Sequence, residues 1–226
     1  MKKIFSCILF LSFILVFSQK REFTAPNYKK IESAVKDKNS EYYYPTLIEK
    51  FNASDSTMTL EQKRHTYYGF VFQDQYSPYH FSDYSKKLNE SINKENLTND
   101  DFKKIIKLCD FVLIENPFDL RALSYKSFCL NKLEEKAELE KNIAKVNIVM
   151  EVLISSGDGM SKETAFYVTN TSNEYDLLNM LGFEFGGKQS LIDHYDYLKL
   201  AENEYKIEGF YFDISPALEN LSKKMK

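Results

Sequence analysis

The sequence predicts an α+β protein that is mainly α-helical, with a helical region over residues 19–157 and a small α+β region over residues 158–226 packed on it. Between residues 102 and 113, apolar side chains recur at the i, i+3, i+4, i+7 spacing of one helix face. At residues 155–159 the pattern changes, because serines and glycines there predict a loop. Apolar and charged residues then alternate over residues 205–209, which is typical of a half-buried strand and predicts a short antiparallel sheet.

Four helices are predicted before residue 95. The second begins near Pro45, because the fixed φ of proline suits the first turn of a helix. The third begins with a capping box, in which Thr59 and Gln62 each satisfy a free backbone N–H group. A turn around Ser77 and Pro78 separates the third helix from the fourth. The apolar and aromatic residues of the four helices are, in order, Tyr28, Ile31 and Val35; Leu47 and Phe51; Tyr67, Tyr68, Phe70, Val71 and Phe72; and Tyr84, Leu88 and Ile92.

Three longer helices follow. The first contains residues 102–113 and ends at Asn116 and Pro117, and the second begins at Asp119. The third runs from about residue 137 to residue 155. Its inward-facing residues are predicted to be Leu139, Ile143, Val146, Met150 and Leu153.

The C-terminal region is predicted to hold three strands and two helices. Residues 165–169 form the first strand, and a helix capped by Ser172 ends at Gly182, which suits a left-handed exit. Residues 191–200 and 205–214 are the second and third strands, and Ser215 opens the final helix.

Residues 1–18 have the pattern of a secretory signal peptide. Lys2 and Lys3 give a basic start, a short apolar run follows, and Ser18 supplies a small residue at the exit. The apolar run is shorter than the about 20 residues that span a membrane. We therefore expect cleavage after Ser18 and export to the periplasm, the cell surface or the medium, with no stable membrane insertion afterwards.

The charge of the chain argues against two classes of partner. The full chain has a net charge of −3, and loss of two lysines with the signal would leave −5. Nucleic acids and anionic membranes favour basic patches. The sequence therefore predicts no nucleic-acid partner, and a protein or peptide partner is the remaining expectation.

Two cysteines remain after the signal, Cys109 and Cys129, and they allow two interpretations. An exported chain can pair them as a disulfide, since they are predicted on neighbouring helices. Two buried free thiols are the alternative. The cysteine spacing matches no metal-binding motif.

The chain resembles two known groups of proteins. Residues 102–134, with the turn Glu115-Asn116-Pro117-Phe118-Asp119, are similar to one tetratricopeptide-type helix pair, without the repeats of a full array. The mature chain also resembles a family of uncharacterised exported bacterial proteins, known as a domain of unknown function. That resemblance implies a helical N-terminal part and a small α+β end, and it implies no reaction. The segments that carry it are 43–45, 67–70, 76–79, 116–119, 157–159, 165–168 and 211–214.

Two polar motifs are predicted to be structural. Residues 182–188 match the glycines and lysine of a phosphate-binding loop, but Gln189 stands where Ser or Thr would hold Mg²⁺, so a glycine turn is predicted. In a strand, His194 and Asp196 would share one face and Asp193 would point away, which leaves too few ligands for zinc. The sequence therefore predicts no cofactor and no metal.

The aromatic segment is the candidate binding site, because tyrosine combines a stacking ring with a hydrogen-bonding tip. Its rings are expected either to line a groove for a ligand or peptide, or to lie in the core between helices. The candidate residues are Tyr67, Tyr68, Tyr76, Tyr79 and Tyr84.

Two functions are compatible with these patterns. The favoured hypothesis is a non-enzymatic binding or scaffold protein of the cell envelope or exterior. The alternative is a hydrolase-like enzyme that uses His65 or His80, which flank the aromatic segment. An enzyme should bring a histidine, a carboxylate and a polar partner into one cleft, whereas a binding protein should expose tyrosines there without a convergent acid or base.

Overall fold

The computed structural model describes residues 22–80 and 83–224, which form a helical region followed by a small sheet. All seven helices predicted before residue 157 are confirmed. The capping box is also present, since Thr59 Oγ1 accepts from the Gln62 N–H and Gln62 Oε1 accepts from the Thr59 N–H, each at 3.2 Å. The helices are α1 (Tyr28–Lys36), α2 (Tyr44–Asn52), α3 (Leu60–Gly69), α4 (Asp83–Ile92), α5 (Asn99–Glu115), α6 (Leu120–Lys132) and α7 (Lys136–Ser156).

The C-terminal region contains a four-stranded mixed sheet with the strand order β1-β4-β3-β2. The pairs β2–β3 and β3–β4 are antiparallel, as predicted, and β1 pairs with β4 in parallel, which makes the sheet mixed. The elements are β1 (Phe166–Tyr167), α8 (Ser172–Met180), β2 (Phe185–Ile192), β3 (Tyr195–Leu200), β4 (Gly209–Asp213) and α9 (Ser215–Lys224).

The single strand predicted over residues 191–200 is wrong, because a tight turn divides it. Asp193 has a left-handed backbone with φ of 62°, and with His194 it connects β2 to β3 as a hairpin. Left-handed backbone is tolerated by Asp better than by most residues other than glycine. Asp193 and His194 therefore lie in the turn, and only Asp196 lies in a strand.

The predicted glycine turn before this hairpin is also corrected. Gly182 does end α8 in a left-handed conformation, with φ of 83°. Gly186 and Gly187, however, lie within β2, where the pairing with β3 shifts register between Phe185 and Gln189. A strand rather than a helix follows Gly182, so the segment lacks the geometry of a phosphate-binding loop.

One hydrophobic core joins the helices to the sheet. Fully buried Phe118 and Leu153 from the helical region belong to the same cluster as Phe166 and Phe212 from the sheet. A second, smaller cluster lies among α4, α5 and α6 and includes Cys109. The sheet therefore packs directly on the helices.

The loop after α7 requires glycine at residue 157. A Cβ there would overlap the backbone carbonyl oxygens of Thr164 and Ala165. Because backbone atoms cannot move aside cheaply, we expect Gly157→Ala to lower the free energy of unfolding by about 1–3 kcal/mol. Urea denaturation followed by circular dichroism measures this, with Met160→Ala as the control, because Met160 lies in the same loop and is exposed. Equal stability of the two variants would contradict the close approach.

The predicted signal peptide lies outside the described residues. Within the described ranges, no helix is both long enough and apolar enough to cross a membrane.

Candidate functional site

Three of the five candidate tyrosines are core residues, which corrects their predicted place on a binding surface. Tyr67, Tyr68 and Tyr76 are at most 6% exposed. Their phenol groups bond the backbone of β1 and of the segment after it: Tyr68 donates to the Tyr167 carbonyl at 3.4 Å, Tyr76 donates to the Thr169 carbonyl at 2.6 Å, and Tyr67 accepts from the Thr169 N–H at 3.2 Å. These rings are buried because each polar tip finds a backbone partner inside the fold.

The other two candidates remain on the surface but in different places. Tyr84 on α4 stacks on Phe111 of α5, with ring centroids 4.5 Å apart. Tyr79, 46% exposed, lies at the edge of a cleft between the helices and α8. Only Tyr79 therefore combines exposure with a concave surface.

The α4–α8 cleft has a volume of about 360 Å³. The helical region contributes one wall, and the start of α8 contributes the other. Ligand pockets usually measure about 300–1,000 Å³, so this cleft suits a small molecule or one side chain of a peptide. Its polar lining residues are Tyr79, His80, Ser85, Asn89, Asp119, Arg121, Asn170, Thr171, Ser172 and Tyr175.

Arg121 is the cationic group of the cleft, and a neighbouring carboxylate balances its charge. Its Nε and Nη2 atoms each lie 3.0 Å from Asp176 Oδ1, while 41% of the Arg121 side chain stays exposed. Burial raises the pKa of Asp176 to about 6, although Arg121 opposes this rise. Asp176 therefore balances the charge of Arg121, and the exposed part of the guanidinium group remains available for hydrogen bonding.

His80 and a carboxylate line the same cleft, which was the arrangement expected of an enzyme. The carboxylate is Asp119, but it caps α6 by accepting from the Ala122 N–H at 2.8 Å. Among the described residues, no ion pair joins His80 to a carboxylate.

The other histidines lie elsewhere. The His65 ring stacks on Tyr42 with centroids 4.0 Å apart, and its Nδ1 lies 2.8 Å from the Glu61 carbonyl oxygen. His194 Nε2 lies 3.4 Å from Asp213 Oδ2. The described residues hold no group of three metal-ligating side chains.

The two cysteines are free thiols in this structure, and both are buried. Burial raises the pKa of Cys129 to about 11 and that of Cys109 further. Because the thiolate is the reactive form, neither thiol is activated as a nucleophile at neutral pH.

A buried carboxyl pair behind the cleft was missed by the sequence reasoning. Glu174 on α8 is 0% exposed and Asp196 on β3 is 5% exposed. Burial and the charge of Asp196 raise the pKa of Glu174 to about 9. The sequence did contain a signal for this. Glu174 precedes Leu177 by three positions and Leu178 by four, and this spacing places it on the apolar face of its helix.

A hydrogen-bonded path links this pair to the cleft. Asp196 Oδ2 accepts from Gln189 Nε2 at 2.6 Å, and Gln189 Oε1 accepts from the Tyr175 hydroxyl at 2.5 Å. Tyr175 also packs against Phe185 of β2, with ring centroids 5.3 Å apart. The Tyr175 ring, which lines the cleft, is thus held in place by two contacts with β2.

Comparison with known proteins identifies one family. Residues 29–223 match a family model described as a domain of unknown function, DUF4919. No curated protein and no solved structure matches the chain significantly.

Proposed function

We propose that this chain, which belongs to the DUF4919 family of domains of unknown function, is an exported, non-enzymatic binding protein that holds a small polar ligand or a peptide side chain in the α4–α8 cleft. The observation that carries the proposal is that two aromatic rings, Tyr79 and Tyr175, and the partly exposed guanidinium group of Arg121 line the same cleft. Export is supported by the signal-like pattern of residues 1–18.

The chemistry of the lining residues suits recognition rather than reaction. Tyr79 and Tyr175 offer ring faces for stacking and phenol groups for hydrogen bonds. Arg121 adds donors in a fixed planar arrangement, which selects a carbonyl, carboxylate or hydroxyl acceptor on the ligand. Asp119 Oδ1 accepts the Ala122 N–H as the cap of α6, which gives this carboxylate a structural role. The best-fitting ligand is therefore a compact group with a flat apolar face and at least one acceptor.

The proposal is tested by NMR on protein with ¹³C-labelled tyrosine rings. The probes are N-acetyl-arginine amide, N-acetyl-tyrosine amide, glycylglycine and glucose, each titrated at millimolar concentration. We expect at least one probe to shift the Tyr79 and Tyr175 resonances, and Tyr79→Ala to weaken that probe's binding at least tenfold, because the stacking ring is lost.

Tyr205→Ala is the matched control, because Tyr205 is 67% exposed and lies outside the cleft. Its loss should leave probe binding unchanged. A panel that shifts neither cleft ring, or binding that survives Tyr79→Ala, would overturn the proposed site.

The hydrolase alternative rests on His80, which lies in the same cleft. It predicts turnover of 4-nitrophenyl acetate that is lost in His80→Ala and retained in His65→Ala, since His65 lies against Tyr42 instead. Such turnover would favour the enzyme over the binding protein. Equal background rates in all three proteins would leave the binding proposal as the better one.

A further inference from the structure

We propose that Glu174 and Asp196 bind one shared proton, and that loss of this proton at alkaline pH repositions Tyr175 in the α4–α8 cleft. The control of ligand binding by this proton rests on the proposed function of the cleft. The proton site itself does not, because it follows from the contacts of the buried carboxyl pair.

The first observation is that Glu174 lacks a hydrogen-bond donor. Both of its carboxylate oxygens are buried, and within the described residues neither has a hydrogen-bond partner. The Asp196 carboxyl lies within hydrogen-bonding reach of Glu174, but two ionised carboxylates can only accept. One added proton converts this contact into an O–H···O bond, so the proton supplies the missing donor.

The second observation is the surrounding charge. The titratable groups that interact with Glu174 are Asp196 on β3, Tyr175 on its own helix and Tyr79 from the segment before α4. All three are acidic groups, and no cation among the described residues contributes to the electrostatics of Glu174. Without a nearby cation, the pair can reduce its charge only by holding a proton.

The third observation is the path to the cleft. On the hairpin, Gln189 and Asp196 occupy diagonal positions of neighbouring strands, where side chains reach each other. Gln189 is exposed, and it bridges Asp196 to the Tyr175 hydroxyl. Water therefore reaches the bridge, and the proton can exchange with solvent without unfolding of the core.

Loss of the proton changes the position of these groups. The proton leaves for solvent, and two buried carboxylates then face each other with no donor between them. Their repulsion favours separation of Asp196 from Glu174. Gln189 follows Asp196 through the 2.6 Å hydrogen bond. The Tyr175 hydroxyl then no longer has the Gln189 oxygen in its present position as an acceptor. The ring keeps its contact with Phe185, which makes the expected motion a tilt of the ring.

The test is a pH titration of the ¹³Cζ resonance of Tyr175, without any ligand. In the wild-type protein we expect a transition with a midpoint near pH 9, which is the pKa that burial and Asp196 produce for Glu174. Glu174→Gln should abolish this transition and keep the later ionisation of Tyr175 itself, whose pKa lies above 10. A transition that persists in Glu174→Gln would overturn the proposal.

Gln189→Ala provides a second variant that does not disturb the core, because Gln189 is exposed. Removing the bridge should abolish the Tyr175 transition, and Lys188→Ala on the same strand should retain it. Equal titration curves in these two variants would overturn the coupling. If the Tyr175 transition behaves as expected while no probe binds, the proton site stands and only the proposed ligand site fails.

Discussion

The substitution Glu174→Gln is expected to raise the free energy of unfolding by about 3 kcal/mol at pH 8 and to change it little at pH 4. Burial and the charge of Asp196 raise the pKa of Glu174 from 4.5 in the unfolded chain to about 9 in the native protein. Between these values the native state binds a proton that the unfolded state has released. Folding therefore becomes less favourable as the pH rises.

The size of this effect follows from proton linkage. Each pH unit above 4.5 costs about 1.4 kcal/mol until the native pKa is reached, which sets an upper limit of about 5 kcal/mol at pH 8. Burial of the new amide offsets part of that gain. Glutamine carries no proton to bind, and its amide can donate to Asp196 as the protonated carboxyl does.

Urea denaturation at pH 4, 6 and 8, followed by circular dichroism, measures this difference. The matched control is Glu140→Gln, because Glu140 is exposed on α7. The control should follow the wild-type pH dependence. A Glu174→Gln variant that is destabilised equally at pH 4 and pH 8 would show that folding does not raise the pKa of Glu174, against the proposed shared proton.

The second large effect is expected for Phe118→Ala, which should lower the free energy of unfolding by about 3–5 kcal/mol. Phe118 is 0% exposed and lies at the centre of an aromatic cluster. Its ring centroid is 5.0 Å from that of Phe51, 5.4 Å from that of Tyr67 and 5.5 Å from that of Phe70. Truncation leaves a cavity among rings from two separate segments, which cannot close together because their backbones are fixed.

The same denaturation experiment at a single pH measures this loss. Phe111→Ala is the matched control, because Phe111 is 45% exposed on α5 and its truncation leaves no cavity. We expect a change below about 1 kcal/mol for the control. Similar losses for the two variants would contradict the central place of Phe118 in the core.

Local patterns in the sequence were sufficient for most of the helical architecture. The capping box at Thr59 and Gln62, the start of α6 after Asp119 and the left-handed exit at Gly182 all appear as predicted. Each depends on hydrogen bonds or backbone angles within a few residues. Such signals are complete in a short stretch of sequence, so distant parts of the chain do not alter them.

The strands were harder to predict for a physical reason. The predicted strand over residues 191–200 has a continuous run of strand-compatible residues, yet the chain reverses at Asp193. Pairing with β3 decides where β2 ends, because strand hydrogen bonds join separate segments. The parallel pairing of β1 with β4 joins residues 46 positions apart, as in Phe166 and Phe212, and no local pattern reports it.

The sequence by itself thus determined the helical elements, the caps at Thr59 and Asp119 and the change to a sheet-forming region after residue 157. The predicted cap at Ser172 is wrong, because Ser172 is the first residue of α8 and Thr171 holds the capping position. Tertiary structure alone decided which tyrosines are buried and which acids meet. Tyr67 reaches Thr169 across 102 residues, and Glu174 faces Asp196 from a different element. These contacts depend on how whole elements pack, because burial and pKa are properties of the surroundings of a side chain rather than of its neighbours along the chain.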